Sequence, residues 1–390
     1  MKIVLDISFK NHIKTIKKLF IATGLIIFNS ISGKITDLEI SKIDSIIYKA
    51  IEDSVFPGAV LCFGSSKNTS FINAYGRYDY SHNSKPVKDD CIYDLASLTK
   101  VIATTTSIMR LIETGLLDLN DRVSDYIPAF GGKIKKTITI KNLLLHNSGL
   151  APGRPLYSCC DTKEVAIDSL FNSKLKYKTG EKTVYSDLGF IMLGLVVEKI
   201  TNQSLQKFID QILNQEMQMR ETIFNPEDLI WKRIIPTDPD INMRLIKKPG
   251  KVRNKITRSF NGVAGHAGLF SSANDLSIFA KMYLNKGAID NKNIFSKSTV
   301  SNFTKKQSEN STRALGWDTG NGNQKNKIAT LFSENAFGHT GFTGTSIWID
   351  PVIDLYIILL TNRTYEMTDR YLIKKFRPQI HDYIIKSVIN

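Results

Sequence analysis

The stretch DLASLTK (94–100) decides how this chain is read. It places a serine, Ser97, three residues before a lysine, Lys100, at the head of an apolar run. Residues three apart on a helix share a face, so the hydroxyl and the ammonium come within reach of each other. A helix start also offers unpaired backbone N–H groups and the positive end of the dipole, which favour charge developing on a serine oxygen. A neighbouring lysine can take the serine proton if a desolvated setting lowers its proton affinity. By itself the pattern also fits an ordinary helix with Ser97 as its cap.

Leu98, Val101, Ile102, Ile108, Met109, Leu111 and Ile112 recur at three- and four-residue steps, which predicts a helix over 97–116 with Gly115 as its stop. ISKIDSIIYKAIED (40–53) has the same spacing. GAVLCFGS (58–65) and TSFINAYGRY (69–78) read as two strands around a polar turn. DLGFIMLGLVVEKI (187–200) and SANDLSIFAKMYLNKG (272–287) read as helices, each with a capping residue at its start. TSIWIDP (345–351) and DLYIILLTN (354–362) are again strands, followed by an amphipathic helix over about 370–388. Strands at both ends with helices between do not alternate as a parallel sheet requires. The reading is an α+β fold: an antiparallel sheet built from both ends of the chain and flanked by helices, with a mostly helical region inserted. The stretch 225–260, rich in Pro, Lys, Arg and Asn, reads as an irregular excursion.

The chain has 390 residues, 42% of them hydrophobic and 23% charged, an ordinary globular mix able to bury a core. The formal net charge of +15 draws a protein toward anionic polymers and membranes. The lysines are scattered and no basic-aromatic stripe or reader motif occurs, so no nucleic-acid partner is expected. Four cysteines are too few for a disulfide framework. Cys62 lies in an apolar run and reads as a core thiol; Cys159 and Cys160, with no CxxC and no histidine nearby, do not read as a metal site. At the N-terminus, Lys10, Lys14, Lys17 and Lys18 precede LFIATGLIIF (19–28) and the small residues Ser30 and Ser32. This pattern predicts an export signal cut after Ser32, or an uncleaved membrane anchor, over residues 1–33, with the functional domain over 34–390.

Two further motifs join the first: YSD (Tyr185, Ser186, Asp187) before the second strong helix, and HTG (His339, Thr340, Gly341) before the final strand pair. In this order and spacing the three motifs resemble the signature of the penicillin-recognising serine hydrolases, Ser-x-x-Lys, Tyr-x-Asn and Lys/His-Thr-Gly, above all their class C β-lactamase branch. That branch also holds D-alanyl-D-alanine carboxypeptidases, D-aminopeptidases, esterases and muropeptide amidases. The likeness runs from about 40 to 365 and includes FPGAVLCFG, LLLHNSGL, GVAGHAGLFSSANDL, RALGWD and FGHTGFTGTSIWIDP. It implies a β-lactamase/transpeptidase-like fold and an acyl-enzyme at Ser97. It also implies Lys100 as base or proton shuttle, Tyr185 as relay to the leaving group and His339 in the third-motif position. The oxyanion would be held by the backbone N–H groups of Ser97 and Phe342, with Thr340 and Gly341 lining the substrate cleft. The substrate expected is a cell-wall peptide or a related small molecule. The chemistry is complete without a metal or organic cofactor, and nothing in the sequence bears on oligomeric state.

The chain departs from the pattern where relatives carry Asn and Lys. Asp187 and His339 stand there, so the cleft is far less positive and attracts a substrate carboxylate less, unless Arg363 or another cation compensates. Asp187 beside Lys100 would also hold the lysine protonated and move the base role toward Tyr185 or a Lys-Tyr pair. Both points favour a peptidase, amidase or esterase over an efficient β-lactamase. Before GVAGHAGLF, Val252, Arg253 and Asn254 replace a Val-His-Asp common in relatives, which leaves open a weakly acylating binding or sensor module. His266 and His146 are read as structural. The Gly-rich GFTG (341–344) precedes a strand and is no phosphate loop, and no G-x-S-x-G elbow occurs.

Overall fold

In the computed structural model, described for residues 35–153, 162–226, 231–237, 252, 254–319, 328–366 and 369–389, both ends of the chain build one antiparallel sheet. Its strands are β1 (Gly58–Gly64), β2 (Thr69–Gly76), β3 (Asp318–Thr319), β4 (Phe337–Thr340), β5 (Ser346–Asp350) and β6 (Leu355–Thr361), in the spatial order β2-β1-β6-β5-β4-β3. The first strand of the chain pairs with the last, Cys62 opposite Ile358, which closes the sheet around everything inserted between them.

Alternate residues of each strand serve different layers. Ala59, Leu61, Phe63, Trp348, Ile357 and Leu359 pack with Ile43 and Ile47 of helix α1 (Asp37–Glu52), and with residues of a C-terminal helix. Val60, Cys62, Ile347, Ile349, Ile358 and Leu360 face the inserted region instead. That region contributes α2 (Thr106–Glu113), α3 (Asp187–Thr201) and α4 (Ala273–Leu284), and the C-terminal helix is α5 (Arg370–Ile389). The period of two in the strands is thus what separates a terminal-helix layer from the inserted domain. His339 shares the face of Phe337, toward the inserted region, because it lies two residues further along β4.

The expected α+β architecture is the one observed, and each element lies within a few residues of its expected place. Two local expectations fail. The segment 97–116 is not one helix: a short tight turn over Ala96–Leu98 leads into wide, π-type turns over Lys100–Thr105, and regular helix begins at Thr106. The Thr106 hydroxyl donates to the carbonyl of Val101, five residues back, at 3.1 Å, and the Thr104 hydroxyl reaches across to the carbonyl of Gly265 at 2.7 Å. The first competes with the ordinary four-residue ladder for the Val101 carbonyl, and the second ties the segment to a distant loop. The second failure is Ser186, which makes no side-chain cap for α3; its hydroxyl donates to the carbonyl of Ala151 at 2.6 Å. Ser272, by contrast, caps α4 by accepting from Asp275 N–H.

Cys62 is a buried core thiol, pushed up to about 12 by burial. Cys159, Cys160, Arg253 and residues 1–33 lie outside the described residues. No described helix is long and apolar enough to cross a membrane.

One contact from the terminal layer bears on the opposite side of the sheet. Arg377 of α5 is buried and donates from Nη2 to the carbonyls of Gly344 and Thr345, at 2.7 and 2.9 Å. It fixes the turn between β4 and β5 from behind. Replacing Arg377 with Ala strands the Gly344 carbonyl and leaves Thr345 O only the Gly341 N–H at 2.7 Å, and the expected loss is roughly 1–3 kcal/mol, read as a lower urea midpoint at unchanged slope.

Candidate active site

The half-buried Ser97 sits on a turn that is held in an unfavourable backbone shape. Ala96, just before it, has φ +47°, a left-handed conformation costing an L-residue about 1–2 kcal/mol. Side chains and strand contacts impose it. The Asp94 carboxylate accepts the Ala96 N–H at 2.8 Å, and the hydroxyls of Thr343 and Thr345 donate to the carbonyls of Asp94 and Leu95 at 2.8 and 3.2 Å. The loop after HTG is therefore bonded directly to the serine turn. Gly341 is required at this approach: a Cβ there would lie 2.1 Å from Thr345 Oγ1 and 2.6 Å from the Leu95 carbonyl oxygen.

Lys100 is wholly buried, and all three ammonium hydrogens have partners. Its Nζ lies 2.8 Å from Asp187 Oδ1, 3.0 Å from the carbonyl oxygen of His266 and 3.1 Å from Ser97 Oγ. The ring of Tyr185 stands 4.9 Å from the same nitrogen and that of Phe190 5.8 Å. Burial is the largest single influence on this lysine and lowers its proton affinity. Asp187 and Tyr185 together outweigh it, so the net direction is up. The resting arrangement is an ammonium donating to Ser97, not a free amine.

Tyr185 is framed by two imidazoles, His146 at 4.5 Å between ring centroids and His339 at 5.9 Å. His146 Nδ1 accepts the Ser186 N–H at 3.0 Å, so its proton is on Nε2, and this bond anchors the YSD segment. Burial drives both histidines well below the ordinary range, and the positive charges of Arg313 and Lys100 add to it. His339 is thus neutral and supplies no charge in place of a lysine. Arg313 does: its guanidinium carbon lies 5.5 Å from the Tyr185 ring centroid.

Ser97, Lys100, Tyr185, Asp187 and His339 are accordingly brought into one cluster. Thr340 ends β4, and Gly341 and Phe342 follow it on the loop bonded to the serine turn. Arg363 is buried, its backbone N–H donates to Thr343 O, and its guanidinium carbon is 4.9 Å from the Phe342 ring. At Tyr185 the second cation, beside Lys100, is Arg313, in RALGWD, which the sequence offers only as part of a likeness. The His266 ring takes no part at Ser97: Nε2 faces Asn254 Oδ1 at 3.3 Å, and burial lowers the group to about 4. What reaches the site is the His266 carbonyl, a role no side-chain motif could signal. Gly265 lets this loop touch α3, since a Cβ would lie 2.1 Å from the Phe190 carbonyl oxygen. Of the residues replacing Val-His-Asp, Val252 packs with Ile92, Ile234 and Phe270, and Asn254 caps a helix by accepting Thr257 N–H at 3.0 Å. Among the described residues no three His, Cys, Asp or Glu side chains group as a metal site.

The family model described as Beta-lactamase matches residues 43–379, and the chain belongs to that family. An N-acetylmuramyl-L-alanine amidase of Bacillus subtilis (strain 168) is 34% identical over 372 residues, covering 87% of this chain and 84% of that protein. A protein of Escherichia coli (strain K12), provisionally named D-alanyl-D-alanine carboxypeptidase, is 32% identical over 346 residues, with 80% of each chain covered. A solved class C beta-lactamase superposes with TM-score 0.71 at 19% identity, covering 88% of this chain and 95% of that one. A penicillin-binding protein homolog from Caulobacter crescentus gives 0.71 at 15% identity, covering 91% and 99%. The chain is a serine hydrolase of this family.

The ion pair makes a signed prediction about pH. Removing the Asp187 charge takes away the largest influence that raises Lys100, so Lys100 of an Asp187→Asn variant loses its proton at lower pH than in the native enzyme. The acid limb of kcat/KM, which reports the free enzyme, is expected to move to lower pH, worth about tenfold in rate per unit at a fixed pH on the limb. An unmoved limb would mean that Lys100 does not carry the proton that matters.

Proposed function

We propose that the enzyme cleaves amide bonds of peptidoglycan-derived peptides through an ester on Ser97, with D-alanyl-D-alanine carboxypeptidase activity as the first reading. The observation that carries it is the buried Lys100 ammonium 3.1 Å from Ser97 Oγ, itself held by Asp187 at 2.8 Å. Once Lys100 sheds its proton, Nζ takes the hydroxyl proton as Oγ attacks the acyl carbon. The oxyanion forms against the backbone N–H groups of Ser97 and Phe342. Tyr185, beside both Lys100 and His339, gives its hydroxyl proton to the departing amine and takes the serine proton from Lys100 in exchange, so that Tyr185 and Lys100 both return to their starting states. Water then attacks the ester by the same route in reverse, and acylation and deacylation are separate steps. A neutral His339 and the Lys100–Asp187 pair leave Arg313, on the Tyr185 side, as the cation that stands in place of a third-motif lysine.

Muropeptide amidase activity is a second reading, favoured by the amidase relative, whose identity and coverage equal or exceed those of the carboxypeptidase relative. The two differ in product: free D-alanine in one case, a muramyl sugar separated from its peptide in the other. The basic-apolar-small pattern of residues 1–33 supports export to reach a cell-wall substrate.

The test is intact-mass analysis after incubation with a fluorescent penicillin, run beside hydrolysis of a p-nitrophenyl ester and of muropeptides. A persistent single adduct mapped to Ser97 is expected, with ester hydrolysis that falls to background in Ser97→Ala. Activity surviving that substitution would overturn the assignment, and rapid turnover of the penicillin would overturn the carboxypeptidase reading in favour of a β-lactamase.

A further inference from the structure

Arg370 and Arg377 stand seven residues apart on α5, so both leave the same face of a helix that belongs to the terminal layer. The Arg370 guanidinium carbon lies 5.5 Å from the Phe342 ring centroid, and that of Arg363, just past β6, 4.9 Å from it. Arg377 is buried, yet among the described residues no carboxylate pairs with it. Burial and the charge of Arg363 lower it to about 9, which still leaves it charged at neutral pH. Its Nη2 donates instead to the carbonyls of Gly344 and Thr345, at 2.7 and 2.9 Å, in bonds of the strong, charge-assisted kind.

Those two residues close the turn that carries Phe342. Gly344 N–H donates to the Gly341 carbonyl at 3.2 Å, and Gly341 N–H to the Thr345 carbonyl at 2.7 Å. Thr343 is held separately: its hydroxyl donates to the Asp94 carbonyl, and its own carbonyl accepts the Arg363 N–H at 3.1 Å. The Gly341 carbonyl and the Phe342 N–H belong to one peptide unit. A trans peptide is planar, and its C=O and N–H point opposite ways. Turning the Gly341 oxygen into the turn, toward Gly344 N–H, therefore turns the Phe342 N–H out of it. The direction of that donor depends on where Gly344 and Thr345 sit, and Arg377 holds both.

We infer that Arg377 is a positioning residue for acylation: from the far side of the sheet it keeps the Phe342 N–H aimed at the oxyanion, without touching substrate. This rests on the Ser97 ester reading above. A misaimed oxyanion donor leaves ground-state binding intact and weakens the transition state, so the cost falls on kcat rather than on KM.

The test compares p-nitrophenyl acetate hydrolysis with inhibition by phenylboronic acid in the native enzyme, Arg377→Ala, Arg377→Lys and Asp382→Ala. Boron accepts Ser97 Oγ as the hydroxyl proton leaves, and a boronate oxygen then takes the oxyanion position. Asp382 is the control: on the same helix, it accepts the N–H groups of Thr330 and Leu331 at 2.6 and 3.1 Å. Arg377→Ala is expected to lose about ten- to a hundredfold in kcat, part of what a whole oxyanion donor contributes, with KM within about twofold and boronate affinity down by the same factor as kcat. Arg377→Lys, which keeps the charge but not the planar fork, should recover part of the loss. Asp382→Ala should lower the melting temperature and leave kcat and boronate affinity near native. If circular dichroism shows Arg377→Ala unfolded, Arg377→Lys decides. Native kcat and boronate affinity in a folded Arg377 variant, a loss confined to KM, or an equal loss in Asp382→Ala overturns the inference. Ester hydrolysis that does not depend on Ser97 counts instead against the proposed function, and a native protein that takes up no boronate overturns both.

Discussion

A lysine with no solvent contact and a carboxylate 2.8 Å away are what the rest of this site is arranged around. Burying one ammonium without a partner costs several kcal/mol, so Asp187 is needed to keep Lys100 charged inside the protein. In the proposed reaction the same contact opposes acylation, because Lys100 must first be free of its proton to act as the base. Every nearby group bears on that balance. The His266 carbonyl and Ser97 Oγ take the remaining ammonium hydrogens, Tyr185 lies alongside, and His146 and His339 are held neutral by burial and by the two cations.

The fold supplies these groups from separate places. Ser97 and Lys100 come from the entry to the helical region, Asp187 and Tyr185 from the start of α3, His266 from a loop packed on α3, and His339 from the sheet. They meet because hydroxyls and arginines join the layers. Thr343 and Thr345 bond the strand turn to the serine turn, and Arg377 bonds the same turn to the C-terminal helix. Ala96 shows that the meeting carries a cost, since its left-handed backbone persists only because Asp94 and the strand turn hold it. Strain of this kind is usual beside reacting groups.

What could be read from the sequence follows from how each feature is encoded. The long strands were legible because two buried faces leave apolar runs, and α3 and α4 because their apolar residues keep helical spacing. The cluster of Ser97, Lys100, Tyr185, Asp187 and His339 was legible through resemblance, since residues so far apart in the chain share no local pattern. The π-type turns after Lys100 were not legible: the Thr106 hydroxyl bonds the Val101 carbonyl and that of Thr104 a distant loop, and both residues look unremarkable in an apolar run. Ser186 looked like a cap and is not, because a distant carbonyl outcompetes the helix for its hydroxyl. The His266 carbonyl could not be seen at all, as any residue type carries one. Arg313 was in plain view, but only its distance to Tyr185 makes it part of the site.

The claim that Lys100 rests as an ammonium held by Asp187 is the one most directly open to measurement. A nitrogen–proton correlation spectrum of lysine side chains at neutral pH, assigned by comparison with Lys100→Met, observes that group itself. Full burial should slow its proton exchange, so the account predicts a persistent ammonium signal that disappears in the methionine variant. A neutral-amine nitrogen at that position would contradict it.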